Sequence, residues 1–226
     1  MRLRQKVAAE LVGSAFLVAA VIGSGVAASR LSPHDVGLQL LENSVVTGAV
    51  LVALILALHP VSASFNPVIT VLERLLGTIS TRVAAALVAA QLTGAAVGAV
   101  VANVMFDLPV VSVAQHVRSG EGVWLGEVVA TLGLAVVVFG TLRGADSSRV
   151  AFAVGGYITG AYWFTSSTSF ANPAVTVART LSDTFAGIAP ASVPAFVLAQ
   201  LLGGAAGLGL VALLHPRRHE AETSAT

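Results

Sequence analysis

One short segment occurs twice in this chain. Ser64-Phe65-Asn66-Pro67-Val68-Ile69-Thr70-Val71 reads against Phe170-Ala171-Asn172-Pro173-Ala174-Val175-Thr176-Val177, with Asn-Pro at the same place in each. Asn is a preferred N-cap and Pro a preferred first helical residue, so each copy predicts a helix start. The surroundings restrict what such a helix can be, because 56% of the residues are hydrophobic and only 10% are charged. A soluble domain carries about 25% charged residues. A helix that begins inside an apolar medium points unpaired N–H groups and a partial positive charge at whatever lies before it. Two such starts, one per half, predict a pore or binding site built from paired half-helices.

The apolar stretches Val7–Ser29, Asn43–Leu58, Val83–Phe106, Trp124–Leu142, Val150–Ser166 and Val193–Leu214 predict six transmembrane helices, the second of them short. Most approach the ~20 residues that cross a bilayer. The formal net charge of +1 and scattered basic residues give no support for nucleic-acid binding. With no cysteine there is no disulfide framework, thiol nucleophile or cysteine metal site. No Ser/His/Asp arrangement, phosphate loop or metal cluster stands out, so neither an enzyme nor a cofactor is expected. Arg2, Arg4 and Lys6 before an apolar run raise the alternative of a cleaved leader. Against it, Glu10-Leu11-Val12-Gly13 matches Glu127-Val128-Val129-Ala130, and a removed segment has no reason to match a retained one.

The repeat runs to the end of each half. Gln91-Leu92-Thr93-Gly94 in the third stretch matches Gln200-Leu201-Leu202-Gly203 in the sixth. The expected organisation is a single all-α membrane domain, with repeat 1 over about 1–106, repeat 2 over about 120–214 and a polar tail at 215–226. An odd number of crossings per half inverts the second copy, an architecture that places a site near the midplane. From Asn66 to Gly77 a helix reaches roughly 18 Å, about half of a 30 Å core. The two Asn-Pro segments are therefore expected as re-entrant half-helices entering from opposite faces. The non-helical stretches before them, 59–65 and 165–171, are tolerated at membrane depth only if buried or lining water. With the N-terminus inside, the inner segments hold Arg2, Arg4, Lys6, Arg74, Arg82, Arg143, Arg149, Arg217 and Arg218, against Arg30, Arg118 and Arg179 outside. The positive-inside rule favours that orientation, with both termini cytoplasmic in the inner (plasma) membrane.

These features resemble the aquaporin (major intrinsic protein) family over nearly the whole chain. The resemblance rests on the paired motifs Asn66-Pro67-Val68 and Asn172-Pro173-Ala174, on Glu10 and Glu127, on the Gln-Leu-x-Gly pair and on the inverted repeat. It implies a passive channel for water or small neutral solutes, assembled as a homotetramer, in which Asn66 and Asn172 donate hydrogen bonds to the permeant. It also implies that Glu10 and Glu127 brace the carbonyl-lined loops. Where the familiar water channels carry a filter Arg after the second motif, this chain has Val175. By spacing, the other filter positions fall near Val46, Gly160 and Ser169. That set is small and uncharged and implies a wide filter. A similar bacterial subgroup with Val at this place is associated with arsenic resistance, so As(OH)3 joins glycerol and water as candidate solutes.

Several polar residues carry two readings. Arg179, one turn beyond Val175, is either a displaced filter Arg guarding the vestibule or a helix-end Arg pairing with Asp183. Glu73, at the inner mouth, reads as a solvated charge. His59 either titrates as a gate or holds the first loop. Gly94, Gly98, Gly203 and Gly207 have small-xxx-small spacing and predict close helix packing. Intramembrane Glu10 and Glu127 leave the alternative of a proton-coupled secondary transporter.

Overall fold

The structure, a computed structural model, describes residues 1–143 and 149–215. Arg217, Arg218 and the rest of the tail from residue 216 lie outside the described residues. Eight α-helices follow in order among them: α1 (Leu3–Leu31), α2 (Val36–Leu58), α3 (Pro67–Leu75), α4 (Thr81–Met105), α5 (Glu121–Thr141), α6 (Arg149–Phe164), α7 (Pro173–Ala178) and α8 (Val193–Leu214). A 3₁₀ turn at Arg179–Leu181 continues α7, and another at Pro190–Ser192 leads into α8. No strand occurs among the described residues.

Five helices are long and apolar enough to cross a bilayer: α1, α2, α4, α5 and α8. α6 begins at the edge of the described residues, and its 16 residues cover about 24 Å. α2 differs from its apolar pattern. It starts seven residues before Asn43, capped by Asp35, whose carboxylate accepts from the Leu38 N–H at 2.9 Å. The polar residues that end the apolar stretch turn inward. Gln39 donates to the Ser32 carbonyl and Asn43 to the Val21 carbonyl, each at 2.9 Å. A helix facing protein on one side can carry such residues within the membrane because each finds a partner.

Burial runs opposite to that of a soluble domain. Glu10, Gln91, Glu127 and Gln200 are fully buried, whereas Phe16, Val101, Leu201 and Leu202 are exposed. That distribution suits an apolar solvent.

The halves correspond helix by helix. α1 packs most extensively on α4 and α5 on α8, while α2 and α6 meet between the halves. Gly94 and Gly98 bring α4 against the Leu11 and Ala15 carbonyls of α1. Gly203 and Gly207 do the same against Val128 and Leu132 of α5. A Cβ at any of the four would fall on the facing backbone, so the spacing read from sequence sits at the closest approaches. Each half-helix packs against the last helices of both halves, α4 and α8.

Candidate functional site

The two Asn-Pro starts meet at the centre of the molecule. Asn66 caps α3 by accepting from the Val68 N–H at 3.0 Å, and Asn172 caps α7 by accepting from Ala174 at 2.9 Å and Val175 at 3.3 Å. Pro67 and Pro173 occupy the first helical positions, where a missing N–H costs nothing. The side-chain amides then cross over. Asn66 Nδ2 donates to the Ala171 carbonyl at 2.8 Å, and Asn172 Nδ2 to the Phe65 carbonyl at 2.7 Å. An Asn amide has two N–H groups, and each carbonyl takes one. Phe65 and Ala171 adopt the left-handed region, at φ 46° and 47°. For residues with a Cβ this is a strained conformation that the surroundings must hold.

The holding groups are the two buried glutamates. Glu10 Oε1 accepts from Ser62 Oγ at 2.5 Å and the Ser64 N–H at 2.9 Å. Its Oε2 accepts from the Phe65 N–H at 2.7 Å and Gln91 Nε2 at 2.8 Å. Glu127 repeats the arrangement with the Phe170 N–H at 2.8 Å, the Ala171 N–H at 2.9 Å and Gln200 Nε2 at 2.6 Å. Gln91 and Gln200 also donate to Thr70 Oγ1 and Thr176 Oγ1 on the half-helices, both at 2.8 Å. Each glutamate thus ties a first helix, a loop and a last helix together.

A cavity of about 280 Å³ runs through this centre, with Asn66 and Asn172 on its wall. One end is lined by Lys6, His59 and Glu73, and residues 61–65 also line it. Towards the other end it is lined by Thr47, Tyr162, Ser169, Val175 and Arg179. Val68 and Ala174 are not on this wall. Val68 is buried against Gly204 of α8.

Two of the expected filter positions sit elsewhere. Val46 is 39% exposed and lines an outer groove beside Glu42 and Phe106, and Gly160 is exposed with open space around it. The wall belongs to Thr47 on α2 and Tyr162 on α6, whose hydroxyls lie 3.2 Å apart. Each residue turns a helix by about 100°, so an error of one or two positions moves a side chain off the wall. Ser169 and Val175 do line the cavity. An aromatic ring therefore stands where none was expected. Its signal was present in the i, i+4 register of Val154, Ile158 and Tyr162, and of Thr47, Leu51 and Ile55, all of which line the cavity.

Arg179 is 3% exposed and also lines the cavity. It does not serve as a surface partner for Asp183. Its Nε donates to the Ala186 carbonyl and its guanidinium lies 3.5 Å from the Phe170 ring centre. The Asp183 carboxylate accepts the Gln115 N–H instead. Glu73 is likewise no free surface charge: it lines the cavity and accepts from Ser64 Oγ at 3.2 Å. Among the described residues no group of His, Cys, Asp and Glu stands close enough to hold a metal ion.

Residues 1–149 match the family model described as Major intrinsic protein. The chain is 45% identical to the aquaglyceroporin AqpS of Rhizobium meliloti (strain 1021) over 218 residues, covering 96% of this chain and 93% of that protein. Its fold matches the X-ray structure of the aquaglyceroporin from Plasmodium falciparum with a TM-score of 0.70, covering 92% of this chain and 95% of the other at 15% identity. The all-helical scaffold with two central half-helices and these matches lead to one assignment: the chain belongs to the major intrinsic protein (aquaporin) family.

Proposed function

We propose that this protein is a passive membrane channel for water and small neutral solutes of the glycerol or As(OH)3 class. The observation that carries the reading is the cavity crossed at its middle by Asn66 and Asn172, each with an amide anchored to the opposite loop. A permeant passing there meets fixed donors at the centre and backbone carbonyls before them, a replacement for its hydration shell. The relative named an aquaglyceroporin supports the wider solute class. In this reading Thr47, Tyr162, Ser169 and Val175 form the outer constriction. Val175 leaves the room that a longer charged side chain would take, and the three hydroxyls face a solute's own hydroxyls. Arg179, one turn further out, guards the vestibule. The protein works as a homotetramer with one pore per subunit, in the inner (plasma) membrane with both termini cytoplasmic.

A proton-coupled transporter is the weaker reading. The donors around Glu10 and Glu127 include backbone N–H groups, which cannot accept a proton. Protonating either carboxyl would set an O–H against them. Bracing fits these contacts better than relay.

Stopped-flow swelling of proteoliposomes with water, glycerol, urea and As(OH)3 tests the proposal. Flux should rise linearly with gradient and ignore a proton gradient. Passage of water with exclusion of all three solutes would overturn the wide filter. Proton-driven accumulation would overturn the channel.

A further inference from the structure

Two arginines share one ring at the outer end of the cavity. The Arg179 guanidinium lies 3.5 Å from the Phe170 ring centre and that of Arg118 lies 5.1 Å from it. They also divide three consecutive carbonyls. Arg118 Nε donates to Gly187 at 3.0 Å and its Nη2 to Phe185 at 3.4 Å, while Arg179 Nε takes Ala186 between them. Among the described residues neither guanidinium is paired with a carboxylate, and the carbonyl that Arg179 meets is taken by Nε, its side chain otherwise lining the cavity.

A charge removed from water is costly unless an opposite charge or a full set of hydrogen bonds replaces the lost hydration. One carbonyl and one ring face do not complete that set for Arg179. One atom in the same cavity is left over: Ser169 Oγ, on a residue 3% exposed, has no partner. The residue between these two in the stack is Phe170, next to Ser169 in the chain. Arg30 gives the contrast within the molecule. It also stacks on a ring and donates to a carbonyl, both of Phe106, but it is exposed and lies away from the cavity. The potential of the buried pair reaches the outer loop, where His116 titrates below its ordinary range, first through burial and then through Arg118 and Arg179, with Asp183 opposing.

We propose that the outer end of the cavity is a binding site for a small monovalent anion. Arg179 Nη and the Ser169 hydroxyl donate to it, and Arg118 supplies a second positive charge behind Phe170. The anion and a neutral solute then compete for the same end of the cavity. The site does not depend on the transport reading, because its occupancy is read without transport.

The test is thermal unfolding of the purified full-length protein as chloride replaces gluconate, a much larger anion, at constant ionic strength. Chloride should raise the midpoint by roughly 2–4 °C and saturate, as a ligand several-fold above its dissociation constant does. Ser169→Ala removes only a partnerless oxygen and should at least halve the rise. Arg179→Gln should abolish it, Arg118→Gln should weaken it, and Arg30→Gln should leave it intact. If Arg179→Gln fails to fold, Ser169→Ala and Arg118→Gln decide the matter. No chloride-dependent rise in the wild type, or an equal rise in Ser169→Ala and Arg118→Gln, would overturn the site.

Discussion

At the scale of single residues, the proposed pore is an arrangement of donors, and which of its residues are legible from sequence depends on how local the governing rule is. An Asn before a Pro caps a helix wherever it occurs, so Asn66 and Asn172 can be placed from four residues of context. Thr47 and Tyr162 cannot, because their position depends on helix rotation about a distant axis, and Val46 and Gly160 show the result of a small slip. Arg179 shows a different failure. Sequence spacing offers Asp183 as a partner, but the carboxylate is occupied by the Gln115 N–H and the ring of Phe170 is available. The glutamates allow a clear prediction. Glu127→Ala removes the acceptor for two backbone N–H groups and one amide, all buried. Each stranded donor costs about 1–3 kcal/mol, so the variant should lose folded protein in thermal unfolding, and Glu10→Ala likewise. A variant that folds normally but loses proton-driven uptake would make relay, not bracing, the role. The constriction gives another. Val175→Arg should lower glycerol and As(OH)3 flux more than water flux in the same vesicles, and Arg179→Ala should raise cation leak. Equal reduction of all fluxes by Val175→Arg would show that this side chain blocks the path without selecting.

At the scale of elements, the packing is set by where helices lack a Cβ. The small-residue spacing on α4 and α8 was legible because close approach in a membrane selects glycine at i, i+4 intervals. What spacing could not tell is which glycines matter. Gly94 and Gly98 meet α1 carbonyls, whereas Gly156 and Gly209 have nothing within 4 Å. Gly94→Val forces a branched side chain into a backbone contact, and overpacking of this kind costs about 1–3 kcal/mol. Gly209→Ala adds a methyl group to open space and gains helix propensity worth up to ~1 kcal/mol. Thermal midpoints in detergent should therefore fall for the first and hold or rise for the second. The start of α2 was misread for a related reason. Gln39 and Asn43 look like a membrane boundary in a hydropathy profile, yet both are satisfied by carbonyls within the bundle.

At the scale of the whole molecule, the inverted repeat is what turns local signals into a channel. Each half alone leaves a half-helix whose N–H groups, caps and preceding loop have no partner across the centre. The exchange of Asn66 with Ala171 and of Asn172 with Phe65 requires two copies facing each other. That is why the pairing of the halves could be argued from sequence, whereas the content of the proposed constriction, drawn from α2, α6, the second loop and α7, could not. The same inversion makes a claim about sidedness that is independent of transport. If the halves are inverted in the membrane, the ends of α1 and the loop before α5 share one side, and the ends of α3 and α5 share the other. Because the chain has no cysteine, Arg30→Cys, Val117→Cys, Arg82→Cys and Arg143→Cys each introduce a lone thiol. Arg30, Val117, Arg82 and Arg143 are all exposed in the native chain, so burial does not confound the result. A membrane-impermeant maleimide added to intact cells should label positions 30 and 117 and reach positions 82 and 143 only after the cells are opened. Labelling at position 143 from outside, with position 30 silent, would reverse the orientation but keep the inverted pair. Labelling of 30 and 143 from the same side would mean that the stretch between them crosses a different number of times, and the inverted repeat would fall with it.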